Sequence, residues 1–218
     1  MTALALKLLL SYLLGSVVGS LALGRLRGVD IRRAGSGNAG ATNALRTQGW
    51  PFALAVALID VGKGAVAALL IARLELFGAT PAALSAQALG LACGLAAALG
   101  HCWPLWHGFR GGKGAGTLFG AVLVLFPWPA LAMLVLWLLV LTGTGYVGLS
   151  TVIAGIAFPL LLLFTLWRDD GVLLAIAALA AVLLLWMHRG NLARLRRGNE
   201  PRFQRARLLH RLLASRHH

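Results

Sequence analysis

The sequence predicts an all-α integral membrane protein, folded as a compact bundle of seven transmembrane helices. Of its 218 residues, 59% are hydrophobic and only 12% are charged, and the mean hydropathy is +0.82. These values exceed what a water-soluble globule of this size carries. The number of spans follows from the long apolar runs, and their orientation follows from the placement of the basic residues.

Six apolar runs are each about long enough to cross a hydrocarbon core of roughly 30 Å. They are residues 3–23, 50–72, 81–99, 118–141, 146–167 and 171–187. The first run is long enough to be a retained span rather than a cleaved signal. The fourth contains Pro127, Trp128 and Pro129. Because prolines end a helix and Trp favours the membrane interface, we expect a turn there between two short helices, about 113–126 and 130–142.

The positive charges lie between and after the runs. Arginines cluster in residues 24–49 and after residue 187, and the loop 100–117 carries Arg110 and Lys113. Since basic loops stay on the cytoplasmic side, all three segments should face the cytoplasm. Seven crossings satisfy this condition, with the N-terminus outside and the C-terminus in the cytoplasm, whereas six do not. We expect a single domain over residues 1–218 with a basic tail, 188–218.

Several residues inside the runs are predicted to be structural. The net charge of +14 belongs to a membrane protein, so no nucleic-acid partner is expected. Cys93 and Cys102 are too few and too close for a disulfide framework or a zinc site, and we predict packing roles for them. Asp60 and Lys63 lie one turn apart in the second run, so they should pair with each other or with a neighbouring loop, either structurally or in support of a site.

The first polar segment, Gly35 to Arg46, reads GSGNAGATNALR. Its glycines expose backbone N–H groups, Arg46 adds a cationic fork, and further hydrogen-bonding groups come from Ser36, Asn38, Thr42 and Asn43. This composition suits a bound phosphate. The alternative is a flexible interhelical loop. A bare Gly-Ser-Gly would favour this alternative, but the Asn, Thr and Arg residues that follow favour a phosphate site.

The second polar segment, Gly100 to Thr117, combines interfacial aromatics with a glycine turn that carries Lys113. It is not a Walker P-loop, because no Ser or Thr follows Lys113, so nucleotide hydrolysis has no support. His101 and His107 remain open between a structural role and contact with substrate.

The third polar segment runs from His188 to Phe203. His188 and Asn191 are three residues apart and share a helix face. The arginines that follow suit attraction to lipid headgroups, and the solitary Glu200 should pin the tail by pairing with a loop arginine. No acidic cluster faces the cytoplasm, since Asp169 and Asp170 fall on the outer side, so any phosphates should be bound without a metal.

In this order and spacing, the three segments resemble the motifs of the bacterial glycerol-3-phosphate acyltransferases that use acyl phosphate, the PlsY family. The family pattern SGN-x-GATN-x-x-R is matched by residues 36–46, GH-x-x-P…F-K/R-GGKG by residues 100–114, and H-x-x-N…E by His188, Asn191 and Glu200. The chain departs from the pattern in having tryptophans where phenylalanines are usual in the second motif, and Gly116 where alanine is common.

The resemblance implies transfer of a long-chain acyl group from acyl phosphate to the sn-1 hydroxyl of glycerol 3-phosphate, giving lysophosphatidic acid and phosphate. This is the first acylation step of phospholipid synthesis and needs no cofactor. It would take place on the cytoplasmic face of a bacterial inner membrane, among membrane lipid, with a soluble acyl-phosphate-producing enzyme as an implied partner.

The same resemblance assigns roles to residues. We expect the two phosphates to be bound by Ser36, Arg46, Lys113, His188 and Asn191. The remaining substrate contacts are expected from Gly37, Asn38, Gly40, Thr42, Asn43, His101, Gly111, Gly112 and Gly114. Asp60, Lys63 and Glu200 would support the site, and no metal is expected. The proton acceptor stays open between His101, His188 and a substrate phosphate.

Two other classes of protein fit parts of the sequence. A membrane transporter of a small phosphorylated anion also uses glycine loops and broken helices, but its site would lie near the bilayer midplane rather than on one rim. A lipid-binding structural protein accounts for the arginine tail but not for Asn38, Asn43 and Asn191.

Overall fold

A computed structural model describes residues 2–76, 84–165 and 167–203. Within these ranges the regular structure is helical and contains no strand, which confirms the all-α prediction. The chain divides into two compact units, Met1–Pro127 and Trp128–His218. The first two polar segments lie in the first unit, and the third lies in the second.

The described part of the first unit contains six α-helices, and the first two polar segments lie between some of them. α1 packs on α5, α4 packs on α6, α5 packs on α6, and α3 lies against α4. α4 continues through a wider helical turn, Ala67–Ile71, and 3-10 turns occur at Ile31–Arg33 and Leu105–His107. The helices are α1 Thr2–Gly15, α2 Gly19–Leu26, α3 Ala41–Gln48, α4 Trp50–Val66, α5 Ala86–Cys102 and α6 Ala115–Leu125.

Glycines let the backbones of these helices touch. A Cβ on Gly64 of α4 would collide with the carbonyl oxygen of Thr117, and one on Gly120 of α6 would collide with that of Val61. Lipid provides no hydrophobic drive between helices, so close backbone approach and the dispersion it brings must hold α4 and α6 together.

The first apolar run is not the single helix that the sequence predicts. α1 ends at Gly15 and α2 begins at Gly19, with a bend of 44° between them. Lys63 of α4 donates to the carbonyl oxygens of Gly15 and Val17 at 2.9 and 3.0 Å, and the N–H of Gly19 donates to Asp60 at 3.1 Å. The break is stable because a buried charged pair binds backbone groups that a continuous helix would have paired internally.

The second unit contains the rest of α7 Pro127–Thr144 and the helices α8 Val147–Leu163, α9 Gly171–Met187 and α10 Arg189–Arg196. The predicted break of the fourth apolar run into two helices is confirmed, but it lies at Phe126 rather than at Pro127 to Pro129. α6 ends at Leu125, and the two prolines lie in the first turn of α7, where a missing N–H leaves no bond unmade. The predicted short helix 130–142 is therefore an 18-residue helix that ends at Thr144.

Three helical stretches are long and apolar enough to cross a membrane: Trp50–Ile71, Ala86–His107 and Pro127–Thr144. Two bent pairs, Ala3–Gly15 with Gly19–Leu26 and Gly171–Met187 with Arg189–Arg196, raise the number to five if each pair is one span. Ala115–Leu125 and Val147–Leu163 are shorter apolar helices. Among the described residues, these lengths alone support three to five spans.

Candidate active site

The first polar segment is a glycine turn that leads into α3. Gly35 and Gly37 have φ values of +61° and +72°, a region that favours glycine. Gly40 then precedes α3. The segment is thus a shaped turn and a helix rather than an irregular loop throughout.

Asn43 in the first turn of α3 holds the glycine turn in shape. Its side chain is buried, and its amide donates to the carbonyl oxygens of Ile31 and Ala34 at 2.9 and 3.1 Å. Its Oδ1 accepts from the N–H of Ser36 at 2.8 Å. Both amide hydrogens are used by the backbone, so Asn43 acts on the site by fixing the turn at Gly35 to Gly37.

The other polar side chains of this segment are accessible. Ser36 and Arg46 are exposed, and Asn38 and Thr42 are half-buried. The side chains predicted to contact phosphate can therefore reach a ligand, while the residue that holds them, Asn43, is inside.

His101, near the end of α5, belongs to a buried cluster with Asp60 and Lys63 of α4. Lys63 Nζ lies 3.1 Å from Asp60 Oδ1, and His101 Nδ1 lies 2.8 Å from Lys63 Nζ and 3.3 Å from Asp60 Oδ1. Each of the three residues is 5% exposed or less. The predicted Asp60–Lys63 pair is present, and it also binds the backbone at the break between α1 and α2.

The glycine loop that follows packs directly on the end of α5. The N–H of Gly111 donates to the carbonyl of Cys102 at 3.1 Å, and the N–H of Gly112 donates to that of His101 at 3.0 Å. A Cβ on either glycine would collide with His101. Lys113 is half-buried in this loop, and Gly114 directly precedes α6. The loop thus places a cation beside the first N–H groups of a helix, which suits an anion.

Arginines missed by the sequence analysis join the first two segments. Arg32 donates to the carbonyl oxygens of Arg110 and His107 at 2.8 and 3.3 Å, and Arg25 donates to that of Trp106 at 3.3 Å. These bonds hold the chain that precedes the glycine turn against the loop that follows α5.

Asp30 orients Arg32 for this contact. The Arg32 side chain donates to both carboxylate oxygens of Asp30, at 2.9 Å to Oδ1 and 2.7 Å to Oδ2, and the Arg32 N–H donates to Oδ1 as well. The Arg32 side-chain bonds hold the pKa of Asp30 below its usual value. The sequence contains a signal for this pair, because Asp30 is a solitary acid among arginines. The same pattern predicts an arginine partner for Glu200.

A cavity of about 320 Å³ lies beside these arginine contacts. Its wall contains none of the predicted phosphate ligands of the first unit, so it is distinct from the site that the motifs predict. The lining residues are Leu21, Arg25, Val29, Asp30, Arg32, Trp106, His107 and Gly108.

In the second unit, His188 and Asn191 lie at the junction of α9 and α10. His188 is buried, and its Nδ1 donates to the carbonyl oxygen of Leu184 at 2.8 Å, so in the neutral ring the lone pair is on Nε2. The amide of Asn191 donates to Glu200 Oε1 at 2.6 Å. Glu200 also binds Arg194 at 2.7 Å. The predicted arginine partner of Glu200 is therefore on α10 rather than in a loop.

The start of the basic tail is attached to the N-terminal end of α8. The N–H of Phe203 donates to the carbonyl of Gly145 at 2.7 Å, and Arg202 donates to the hydroxyl of Tyr146 at 2.7 Å. Sequence reasoning missed Tyr146, which carries no motif. The tail beyond residue 203 lies outside the described residues.

Cys93 and Cys102 are buried free thiols, as packing residues would be. In the described ranges, no group of three or more His, Cys, Asp or Glu side chains is arranged to hold a metal ion.

The chain resembles proteins of known activity over most of its length. Residues 5–198 match a family model described as glycerol-3-phosphate acyltransferase. A glycerol-3-phosphate acyltransferase of Synechococcus sp. is 43% identical over 199 residues, which cover 90% of this chain and 94% of that protein. One from Thermus thermophilus is 44% identical over 205 residues, covering 93% and 96%.

Two solved structures share the fold. A crystal structure of PlsY, an integral membrane glycerol 3-phosphate acyltransferase, in its glycerol 3-phosphate form has a TM-score of 0.81 and 34% identity, covering 92% of this chain and 95% of that one. The lysophosphatidic acid form has a TM-score of 0.79 and 33% identity, covering 91% and 94%.

Proposed function

Because the chain belongs to the glycerol-3-phosphate acyltransferase family, we propose that it transfers a fatty acyl group from acyl phosphate to the sn-1 hydroxyl of glycerol 3-phosphate. The products are lysophosphatidic acid and phosphate. The observation that carries the proposal is the likeness to PlsY, whose two structures contain glycerol 3-phosphate and lysophosphatidic acid.

The reaction suits the residues that the chain provides. Acyl phosphate is a mixed anhydride with a good leaving group, so the protein needs mainly to orient two anions and to stabilise the charge of the tetrahedral intermediate. We assign phosphate binding to side chains of the three motifs, together with backbone N–H groups at the start of α6. The N–H groups of Gly111 and Gly112 already donate to the carbonyl oxygens of Cys102 and His101. The assigned residues are Ser36, Arg46, Lys113, His188 and Asn191.

We assign further substrate contacts to Gly37, Asn38, Gly40 and Thr42 in the first segment and to Gly111, Gly112 and Gly114 in the second. Glu200 holds Asn191 in position through the hydrogen bond described above. His101 adds a substrate contact.

The acyl transfer needs no covalent intermediate with the protein. The sn-1 oxygen attacks the acyl carbon and forms the new ester bond, and the bond between the acyl carbon and the phosphate oxygen breaks. The hydroxyl proton ends on the departing phosphate, which becomes hydrogen phosphate. A His101→Gln or His188→Gln variant whose turnover falls by many thousandfold would instead identify that histidine as the base.

The proposed setting is the cytoplasmic (inner) membrane of a bacterium. We propose seven spans with the N-terminus outside, a C-terminal tail in the cytoplasm and an active site that faces the cytoplasm, within one catalytic domain of residues 1–218. The acyl chain would extend into membrane lipid, and a soluble enzyme would supply acyl phosphate.

The test is phosphate release by the purified protein in lipid. We expect release to need both acyl phosphate and glycerol 3-phosphate, to persist in EDTA and to disappear in Arg46→Ala. Release only with acyl-CoA would reject the proposed donor. Movement of glycerol 3-phosphate across sealed vesicles without acylation would favour the transporter instead.

A further inference from the structure

The buried cluster of Asp60, Lys63 and His101 connects two parts of the first unit that differ in function. On one side, Lys63 and Asp60 bind the backbone at the break between α1 and α2. On the other side, His101 carries the glycine loop through its carbonyl and its ring. The Asp60–Lys63 pair therefore lies between the break that separates α1 from α2 and the predicted phosphate-binding loop.

The distances decide which nitrogen of His101 bears the hydrogen. Nδ1 lies 2.8 Å from Lys63 Nζ, and an ammonium group can only donate. A contact this short is a hydrogen bond only if Nδ1 is unprotonated. The neutral ring then carries its hydrogen on Nε2.

The remaining bonds of the cluster agree with this assignment. The three hydrogens of the Lys63 ammonium group match its three shortest contacts, to His101 Nδ1 and to the carbonyl oxygens of Gly15 and Val17. The carboxylate of Asp60 forms an ion pair with Lys63 at 3.1 Å and accepts from the N–H of Gly19 at 3.1 Å, so it has partners without a hydrogen from His101. His101 Nδ1 also lies 3.3 Å from Asp60 Oδ1. The two atoms are this close because both lie next to the Lys63 ammonium group.

The Nε2 edge of His101 lies against the glycine loop. A Cβ on Gly112 would collide first with Nε2 itself. His101 is only 4% exposed, and no hydrogen bond to Nε2 is present within the described residues. An N–H donor beside a glycine loop that carries Lys113 is suited to an anionic oxygen.

We infer that Asp60 and Lys63 are positioning residues that hold His101 as an Nε2–H donor to a substrate phosphate at the glycine loop, and that His101 is not the base. The identity of that phosphate rests on the proposed function. The protonation of His101 in the resting protein does not.

The first experiment measures the tautomer directly. Full-length protein with nitrogen-15-labelled histidine is placed in lipid nanodiscs without substrate, and the His101 signals are assigned by their loss in His101→Gln. We expect a protonated Nε2 and an unprotonated Nδ1 at pH 7. A protonated Nδ1 overturns the inference, whatever the protein's activity proves to be.

The second experiment compares His101→Gln with His101→Asn. The amide of Gln can reach the Nε2 position, whereas that of Asn reaches only the Nδ1 position. Loss of a hydrogen bond to a charged oxygen should raise the KM for glycerol 3-phosphate about 10- to 100-fold in His101→Asn, with a much smaller rise in His101→Gln. Equal losses of more than about a thousandfold in kcat in both variants would identify a base and overturn the inference.

The positioning role is tested with Lys63→Met against Lys7→Met. Lys7 is also a buried lysine, and it donates to the carbonyl of Ala72 at 2.8 Å. Both variants should unfold at lower temperature, but only Lys63→Met should raise the KM for glycerol 3-phosphate and change the nitrogen signals of His101. Unchanged His101 signals in folded Lys63→Met would overturn the positioning role. If Lys63→Met does not fold, the same two readouts in Asp60→Asn decide the question.

Discussion

Replacing Asn43 by Ala should weaken binding of glycerol 3-phosphate with little effect on the acyl donor. The substitution removes three hydrogen bonds, to the backbone of Ile31, Ala34 and Ser36, at a position that is 1% exposed. At about 1 kcal/mol net for each bond, the native turn loses about 2–4 kcal/mol relative to open conformations.

This loss of free energy determines how far the KM for glycerol 3-phosphate can rise. If only the native turn binds substrate, the apparent dissociation constant rises by the inverse of the fraction that remains native. A cost of about 2–4 kcal/mol corresponds to an upper limit of about 30- to 900-fold on the KM for glycerol 3-phosphate. We expect a rise that approaches this limit.

The assay is steady-state phosphate release with each substrate varied in turn. Thr47→Val is the matched control, since it removes one bond on the same helix, from the Thr47 hydroxyl to the carbonyl of Asn43, and leaves the turn intact. Its KM should stay within about threefold of wild type. A folded Asn43→Ala protein with an unchanged KM for glycerol 3-phosphate would refute the reasoning.

Three further predictions concern other parts of the site. Gly112→Ala should abolish most activity because its Cβ would collide with the His101 ring, whereas Gly116→Ala, whose Cβ would lie 3.7 Å from that of Asp60, should retain activity in the same assay. Glu200→Ala should lower the free energy of unfolding by about 1–3 kcal/mol. Glu200→Gln should lower it by less, because the Gln amide oxygen still accepts from Asn191. Equal losses of melting temperature in the two variants, measured in detergent, would contradict this. Because the pKa of Asp30 is lowered in the folded protein, its contact with Arg32 stabilises the fold fully above pH 3.8 and is lost as the pH falls through the lower folded pKa. The difference in melting temperature between wild type and Asp30→Asn should therefore be constant from pH 5 to 8. It should shrink only in stronger acid.

The membrane class and the acyltransferase family were predictable because they depend on composition and on motif order. Apolar content excludes a soluble fold, and glycines beside Arg46 and Lys113 favour a bound phosphate. The pairing of Asp60 with Lys63 was also predictable, since unpaired charges inside a span are too costly to persist.

The break between α1 and α2 was not predictable from local pattern. The break at residues 16–18 is stabilised by side chains of α4 that are more than 40 residues away, so nothing within the run marks it. Pro127 and Pro129 illustrate the opposite error, because the same residue that ends one helix suits the first turn of the next. Asn43 looks like a ligand by type, but three backbone partners that come together only in the folded turn use its amide.

Equilibrium binding of radiolabelled glycerol 3-phosphate to the purified protein in EDTA tests the central claim most directly. If glycine amides and cationic side chains hold the phosphate, binding should persist in EDTA and be lost in Arg46→Ala and in Lys113→Ala while both variants remain folded. Binding that disappears in EDTA, or that survives both substitutions unchanged, would contradict the account.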